Sequence, residues 1–87
     1  MLSIIVPCYN EEATLPLFVQ AVEEVNQEMQ QELEYIFVND GSKDQTLQVI
    51  KDLHRQYPKS IRFISFSRNF GKEAALYSGL QAAKGEL

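Results

Sequence analysis

Cysteine is nearly missing from the sequence: Cys8 stands alone, so no internal disulfide can form and the disulfide-scaffold class is excluded. A reducing compartment fits such a chain. Histidine is as scarce, with only His54, and no Cys/His spacing of a zinc site is present. Cations are outnumbered, 8 Lys and Arg against 12 Asp and Glu for a net charge of -4. Without clustered Lys and Arg no nucleic-acid surface, and no nucleic-acid partner, is expected. Long apolar runs are also lacking. Met1–Pro7 is apolar but has no basic leader and falls far short of the roughly 18 residues that span a bilayer. No G-x-G-x-x-G follows it, and Gly71-Lys72 has neither the upstream glycine nor the following Ser or Thr of a Walker A loop, which removes the NAD and ATPase readings. Cys8 and His54 have no third partner, so a cysteine nucleophile has no support; Cys8 reads as a small buried hydrophobe and His54 as a surface residue.

What is present is an ordinary globular composition, 45% apolar and 23% charged over 87 residues, enough for one core and not two. Leu2–Val6 is a β-branched run of the kind buried on both faces of a parallel sheet, and Pro7 marks its end. From Thr14 to about Gln31, Leu15, Phe18, Val19, Val22, Val25 and Met29 recur at helical spacing, with Pro16 in the first turn. Glu34–Val38 is a second strand, closed by a turn at Asn39-Asp40-Gly41-Ser42. Ser42 and Gln45 read as a capping box for a helix to about Tyr57, with Leu47, Ile50 and Leu53 inward. Ile61–Phe66 is a third strand, Ser67–Gly71 a loop, and Lys72–Lys84 a third helix with Gly85 as its C-terminal cap.

The order β-α-β-α-β-α without internal repeats predicts an α/β fold, a Rossmann-like, doubly wound parallel sheet. Such sheets bind ligands at the carboxyl ends of their strands. Tyr9-Asn10-Glu11-Glu12, Asn39-Asp40-Gly41-Ser42 and Ser67–Lys72 all fall there. Tyr9 offers a flat face for a nucleobase and Glu11 offers acceptors, although these residues alone favour the plainer reading, Tyr9 as a core cap and Glu11 and Glu12 at the positive end of the first helix. Asp40 stands where nucleotide folds place a base or ribose acceptor, or else serves an Asx turn. Arg68 and Lys72 are the paired cations of the rim. Lys72 opens a helix, where positive charge is unfavourable unless an anion is bound, the plain alternative being a solvated loop.

Ser3-Ile4-Ile5-Val6-Pro7-Cys8-Tyr9-Asn10-Glu11-Glu12 resembles the opening strand of family 2 glycosyltransferases of the GT-A fold. Val38-Asn39-Asp40-Gly41-Ser42-Lys43-Asp44-Gln45-Thr46 resembles their second signature, D-D-G-S-x-D-x-T. Ser67-Arg68-Asn69-Phe70-Gly71-Lys72-Glu73-Ala74-Ala75 is similar to the branch that moves a sugar from UDP- or GDP-sugar onto a polyprenyl phosphate, the relatives of dolichyl-phosphate mannose synthase and bactoprenol glucosyltransferases. The resemblance covers the whole chain. It implies that Pro7, Tyr9 and Glu11 line a nucleoside pocket, that Val38 and Asp40 contact the base, and that Lys72, with Arg68 as a looser member, lies near the base or diphosphate. Asn39 departs from the pattern, which often has aspartate there.

The family's D-x-D motif, which binds Mg²⁺ or Mn²⁺ and the diphosphate, would follow a fourth strand beyond Leu87. The resemblance therefore implies an N-terminal fragment over residues 1–87 that is itself inactive, with no catalytic or metal residue of its own. In the whole enzyme it implies an inverting displacement, with the metal neutralising the departing diphosphate. The whole enzyme would be cytoplasmic and associated with the membrane face that holds its lipid acceptor. Because the missing strand would pair beside the first, Leu2–Val6 is expected to be an open edge through which the fragment self-associates. Two other classes compete. One is a stand-alone α/β nucleotide-binding or regulatory module completing its sheet by oligomerising. The other, a response-regulator-like domain, lacks its aspartate after the third strand.

Overall fold

A computed structural model describes residues 1–85. Its elements are β1 (Leu2–Cys8), α1 (Leu15–Met29), β2 (Leu33–Asp40), α2 (Thr46–Gln56), β3 (Ile61–Phe66) and α3 (Lys72–Ala82). The three strands form one parallel sheet in the order β1-β2-β3, with Leu2 opposite Leu33 and Tyr35 opposite Ile61. Central β2 is buried along its whole length, which is why its middle, Tyr35–Val38, reads as a continuous apolar run.

Alternation along β2 divides the core in two. Leu33, Tyr35 and Phe37 pack with Leu15 and Val19 of α1 and Ile50 and Leu53 of α2. Ile36 and Val38 face the other way, against Ala75 of α3. The first two helices therefore cover one face and α3 the other. After β3 the chain crosses back over β2 and β1: a Cβ on Gly79 would lie 2.3 Å from Ile5 Cγ2, so only glycine lets α3 approach β1 this closely. That reversal beside β1 makes the sheet doubly wound and creates a switch point at the strands' carboxyl ends.

Several boundaries differ from the sequence reading. Pro7 lies inside β1, which runs on to Cys8. Leu2 N–H bonds Glu32 O, so by alternation Pro7's nitrogen faces away from β2, where no ladder donor is missing. Asn39 and Asp40 belong to the end of β2 rather than to a turn. Ser42 and Gln45 form no capping box. The Ser42 hydroxyl accepts from Asn10 N–H, and Asp44 takes the Thr46 N–H that opens α2. The buried residues of α2 are Thr46, Ile50 and Leu53, with Leu47 only half-buried. Gly85 does not cap α3. Ala83 does, in extended conformation, and Gly85 N–H reaches on to the Ser3 hydroxyl. His54 is half-buried, its Nδ1–H directed at Ile61 O and its ring edge-on to Phe63.

At the opposite end of the sheet from the strands' carboxyl termini, Glu34 is a buried carboxylate between sheet and α3. Burial alone would raise its pKa. Hydrogen bonds from the Ser3 hydroxyl, Lys84 N–H and Arg62, with the guanidinium charge, more than offset that and bring it down to about 2. A folded pKa below the unfolded value of 4.5 means that the contribution is fully present above about pH 4.5 and lost as pH falls toward about 2. The thermal midpoint is expected to drop across that window, and Glu34→Gln to flatten this part of the profile. Superimposable acid limbs for the two proteins would show that Glu34 is not the group responsible.

Candidate functional site

Three loops meet above the carboxyl ends of the strands and are stitched together by hydrogen bonds. The Asn10 side chain, at a residue with φ 54°, accepts Lys43 N–H at 2.9 Å, and its own N–H reaches Ser42 Oγ at 3.0 Å. Glu11 N–H bonds the Thr46 hydroxyl at 2.8 Å. These contacts fix the β1–α1 loop on the start of α2. Hydrogen bonds from the Thr46 hydroxyl and nearby N–H groups hold the Asp44 carboxyl below its ordinary range, so it stays an acceptor at the helix start. Asn39 uses both ends of its amide, donating to Ser65 Oγ and accepting from Ser42 N–H. An aspartate there would lose the donor to β3.

The β3–α3 loop is held from β2. Asp40, only 4% exposed, accepts Phe70 N–H at 2.7 Å, Gly71 N–H at 3.0 Å and the Asn69 amide at 3.2 Å. A carboxylate has about four acceptor sites, so most of Asp40 is spent on protein. Gly41 lies directly under this loop: at φ +68° its Cβ would sit 2.2 Å from Arg68 C.

Between the loops lies an open cleft of about 220 Å³ lined by Pro7, Cys8, Tyr9, Glu11, Asp40 and Lys72. The structure thus gathers Pro7, Tyr9, Glu11, Asp40 and Lys72, expected from sequence, around one space. Two residues expected with them are not there. Val38 has no exposed surface and lies in the small core beneath α3, because it shares a face with Asp40 two residues nearer the sheet centre. It lies beneath the cleft rather than on its lining. Arg68 is exposed and stacks over the Phe70 ring at 4.7 Å, outside the cleft lining.

Tyr9 is 41% exposed, so its ring is available to a ligand. The Glu11 carboxylate accepts the Thr14 hydroxyl at 2.6 Å, tying it to the start of α1. Cys8 was not expected to border the cleft. Its thiol is pushed up to about 12 by burial and by the Glu11 charge, and donates to Val6 O, so it stays protonated. Asn69, Phe70 and Gly71 were legible only as part of a polar motif; their bonds to Asp40 span distant sequence and leave no local pattern.

Among the described residues no group of three His, Cys, Asp or Glu is placed to hold a metal ion. Nor is any of their helices long and apolar enough to cross a membrane.

A family model described as glycosyl transferase family 2 matches residues 3–87. The chain is 44% identical over 85 residues to a prophage bactoprenol glucosyl transferase homolog of Escherichia coli, covering 98% of this chain and 28% of that protein. It is 33% identical over 87 residues to an undecaprenyl-phosphate 4-deoxy-4-formamido-L-arabinose transferase of Aeromonas hydrophila, covering 100% of this chain and 27% of that one. Among solved structures it resembles a mannosyltransferase of Pyrobaculum calidifontis in complex with GDP-Man and Mn²⁺, with a TM-score of 0.75 and 25% identity over 97% of this chain and 24% of that one. The chain therefore spans little more than a quarter of the relatives it matches.

Proposed function

The chain belongs to glycosyl transferase family 2, and from that premise we propose that these residues form the nucleotide-sugar-binding part of a longer transferase, one that moves a sugar from a UDP- or GDP-sugar to a polyprenyl phosphate. One observation carries the reading. Loops from separate strands bring an aromatic face, two carboxylates and one cation to a single cleft at the switch point. Tyr9 stacks on the base and Glu11 accepts from the base or sugar hydroxyls. Asp40 offers its remaining acceptor site, and Lys72 attracts the diphosphate. The acceptor class comes from the relatives, whose names specify bactoprenol and undecaprenyl phosphate. On this reading the whole enzyme is associated with the cytoplasmic face of the membrane that holds its lipid acceptor. Under this reading Mg²⁺ or Mn²⁺ is held elsewhere in the whole enzyme, and the isolated chain binds nucleotide without transferring sugar. Alone, it also associates with a second copy through the apolar surface beside β1.

Titration of the full-length protein with UDP, GDP and their sugars, with and without Mn²⁺, tests the reading. Binding of one nucleotide series, tightened by Mn²⁺, is expected; binding of none overturns it. Tyr9→Ala is expected to weaken nucleotide binding by about 1–3 kcal/mol, the usual loss when a base–aromatic stack is removed, while Tyr9→Phe retains it. Unchanged calorimetric affinity in Tyr9→Ala would take Tyr9 out of the base site.

A further inference from the structure

We propose that the outer face of α3, with the loop before it, is the surface this protein lays against an anionic lipid bilayer. The proposal rests on the lipid-acceptor reading above. Two independent observations lead to it, the distribution of charge and the side chains that α3 turns outward.

Charge is divided between the two faces of the sheet. Up to Pro58 the sequence holds three cations and ten carboxylates, whereas from Lys59 on it holds five cations against Glu73 and Glu86. The acidic part includes α1 and α2, which cover one face, and α1 contains three glutamates and no cation. The basic part includes α3, whose only carboxylate is Glu73. Arg62 is spent on Glu34 and Lys72 lines the cleft. That leaves Arg68 before α3 and Lys84 after it, both exposed. The acidic helices lie two layers away, roughly 20 Å at about 10 Å a layer. At physiological salt charges are screened beyond about 8 Å, so the net negative charge of the chain does not keep its α3 face from an anionic surface.

The side chains of α3 are also placed the opposite way from those of an ordinary surface helix. Toward the sheet go Ala75 and Gly79, both small. Outward go Tyr77, 63% exposed, and Leu80, 48% exposed. These two lie three residues apart on one side of the helix, with Glu73 a turn earlier. Phe70, just before the helix, is exposed as well, its ring edge-on to Phe66 and covered by the Arg68 guanidinium. Aromatic and aliphatic groups beside Arg and Lys suit the headgroup layer, where apolar side chains enter the acyl boundary and cations meet lipid phosphates. The Phe70 loop leads directly into Lys72 of the cleft, so this face brings the cleft mouth toward the plane in which a lipid-borne phosphate lies.

The test places photoreactive benzoylphenylalanine at Tyr77, Leu80 or Leu17 of the full-length protein and irradiates it with phosphatidylcholine vesicles, with and without phosphatidylglycerol. Leu17 of α1 is the control, as exposed as Tyr77 at 66% but on the acidic face. Lipid adducts at Tyr77 and Leu80 are expected to exceed those at Leu17 about fivefold or more, and to depend on phosphatidylglycerol. Arg68→Glu combined with Lys84→Glu should lower them by about fivefold or more, since each cation near an anionic surface strengthens attachment by roughly that factor. Should that pair fail to fold, Arg68→Gln with Lys84→Gln removes the charges alone; a smaller loss is expected, and no loss counts against the proposal. Labelling no higher than at Leu17, or indifferent to phosphatidylglycerol, overturns it. Adducts to protein in place of lipid overturn it too, because α3 is then covered by polypeptide. A titration of the same preparation with UDP and GDP separates the two readings: lipid adducts without nucleotide binding leave the surface standing and defeat the nucleotide site, and nucleotide binding without lipid adducts does the reverse.

Discussion

Gly41→Ala is expected to destabilise the protein by about 2–5 kcal/mol and to open the cleft. Two costs combine. At φ +68° a side chain meets the left-handed penalty of roughly 1–2 kcal/mol. Its Cβ would also stand 2.2 Å from Arg68 C and 2.4 Å from Asn69 N. Both are backbone atoms of the β3–α3 loop and cannot rotate aside, so the loop itself must move. Overpacking of this kind costs about 1–3 kcal/mol. Displacing that loop strains the bonds from Phe70 and Gly71 to Asp40, and Lys72 moves with them. Gly71→Ala separates the terms, because Gly71 has a left-handed backbone at φ 102° but no atom within 4 Å of its Cβ. It retains only the conformational cost, about 1–3 kcal/mol. Urea unfolding of both variants at constant m value gives the comparison. A Gly41→Ala protein within about 0.5 kcal/mol of wild type would show that the two loops are not pressed together.

The same loops mark where sequence reasoning stops. The strand and helix cores were legible because their signal is local: Tyr35–Val38 of β2 is an unbroken apolar run, and α1 and α2 repeat at helical spacing. The cleft was legible at Tyr9, Glu11, Asp40 and Lys72 because a doubly wound sheet brings all its carboxyl ends to one rim, whatever the loop details; Pro7 was implied only by the family resemblance. The loop contacts themselves were not legible. Ser42 looked like a helix cap by spacing, yet its hydroxyl serves Asn10, far away in sequence, while Asp44 takes the helix N–H. Asp40 looked like a free acceptor by type, yet its partners come from the loop after the next strand. Val38 is missing from the cleft lining for a geometric reason: the strand face that ends at the rim with Asp40 runs straight into the core beneath α3. Arg68, read from its charge and as a looser member of the resemblance, stacks on the nearby Phe70 ring outside the cleft lining.

The 87-residue chain by itself is expected to associate, and the structure changes the surface responsible. From sequence, the open edge of β1 was to pair with a second copy. In the structure Ser3 is only 4% exposed, and Gly85 N–H bonds its hydroxyl, so the start of that edge is covered by the stretch after α3. By the alternation that turns Pro7's nitrogen outward, Ile5 and the Pro7 carbonyl are what remain of the edge, too little for a ladder. Beside it, however, lies a groove of about 300 Å³ between β1 and α1, lined by Leu2, Ile4, Phe18, Val22, Val25 and Met29 among others. Val25 is 61% and Met29 51% exposed, although both lie on the stripe that helical spacing marks as inward. A contiguous apolar face of this kind on a small chain favours burial against an identical copy, since a two-fold axis matches like to like. Light scattering at high micromolar concentration is expected to give a mass near that of a dimer. Val25→Lys combined with Met29→Glu should return it to monomer without loss of fold, because neither side chain belongs to the buried core. Ile5→Lys would not be a fair test, since Ile5 packs against Gly79 and its loss disturbs α3. A wild-type chain that stays monomeric, or a dimer untouched by the paired charges, would show that this groove does not hold a second copy.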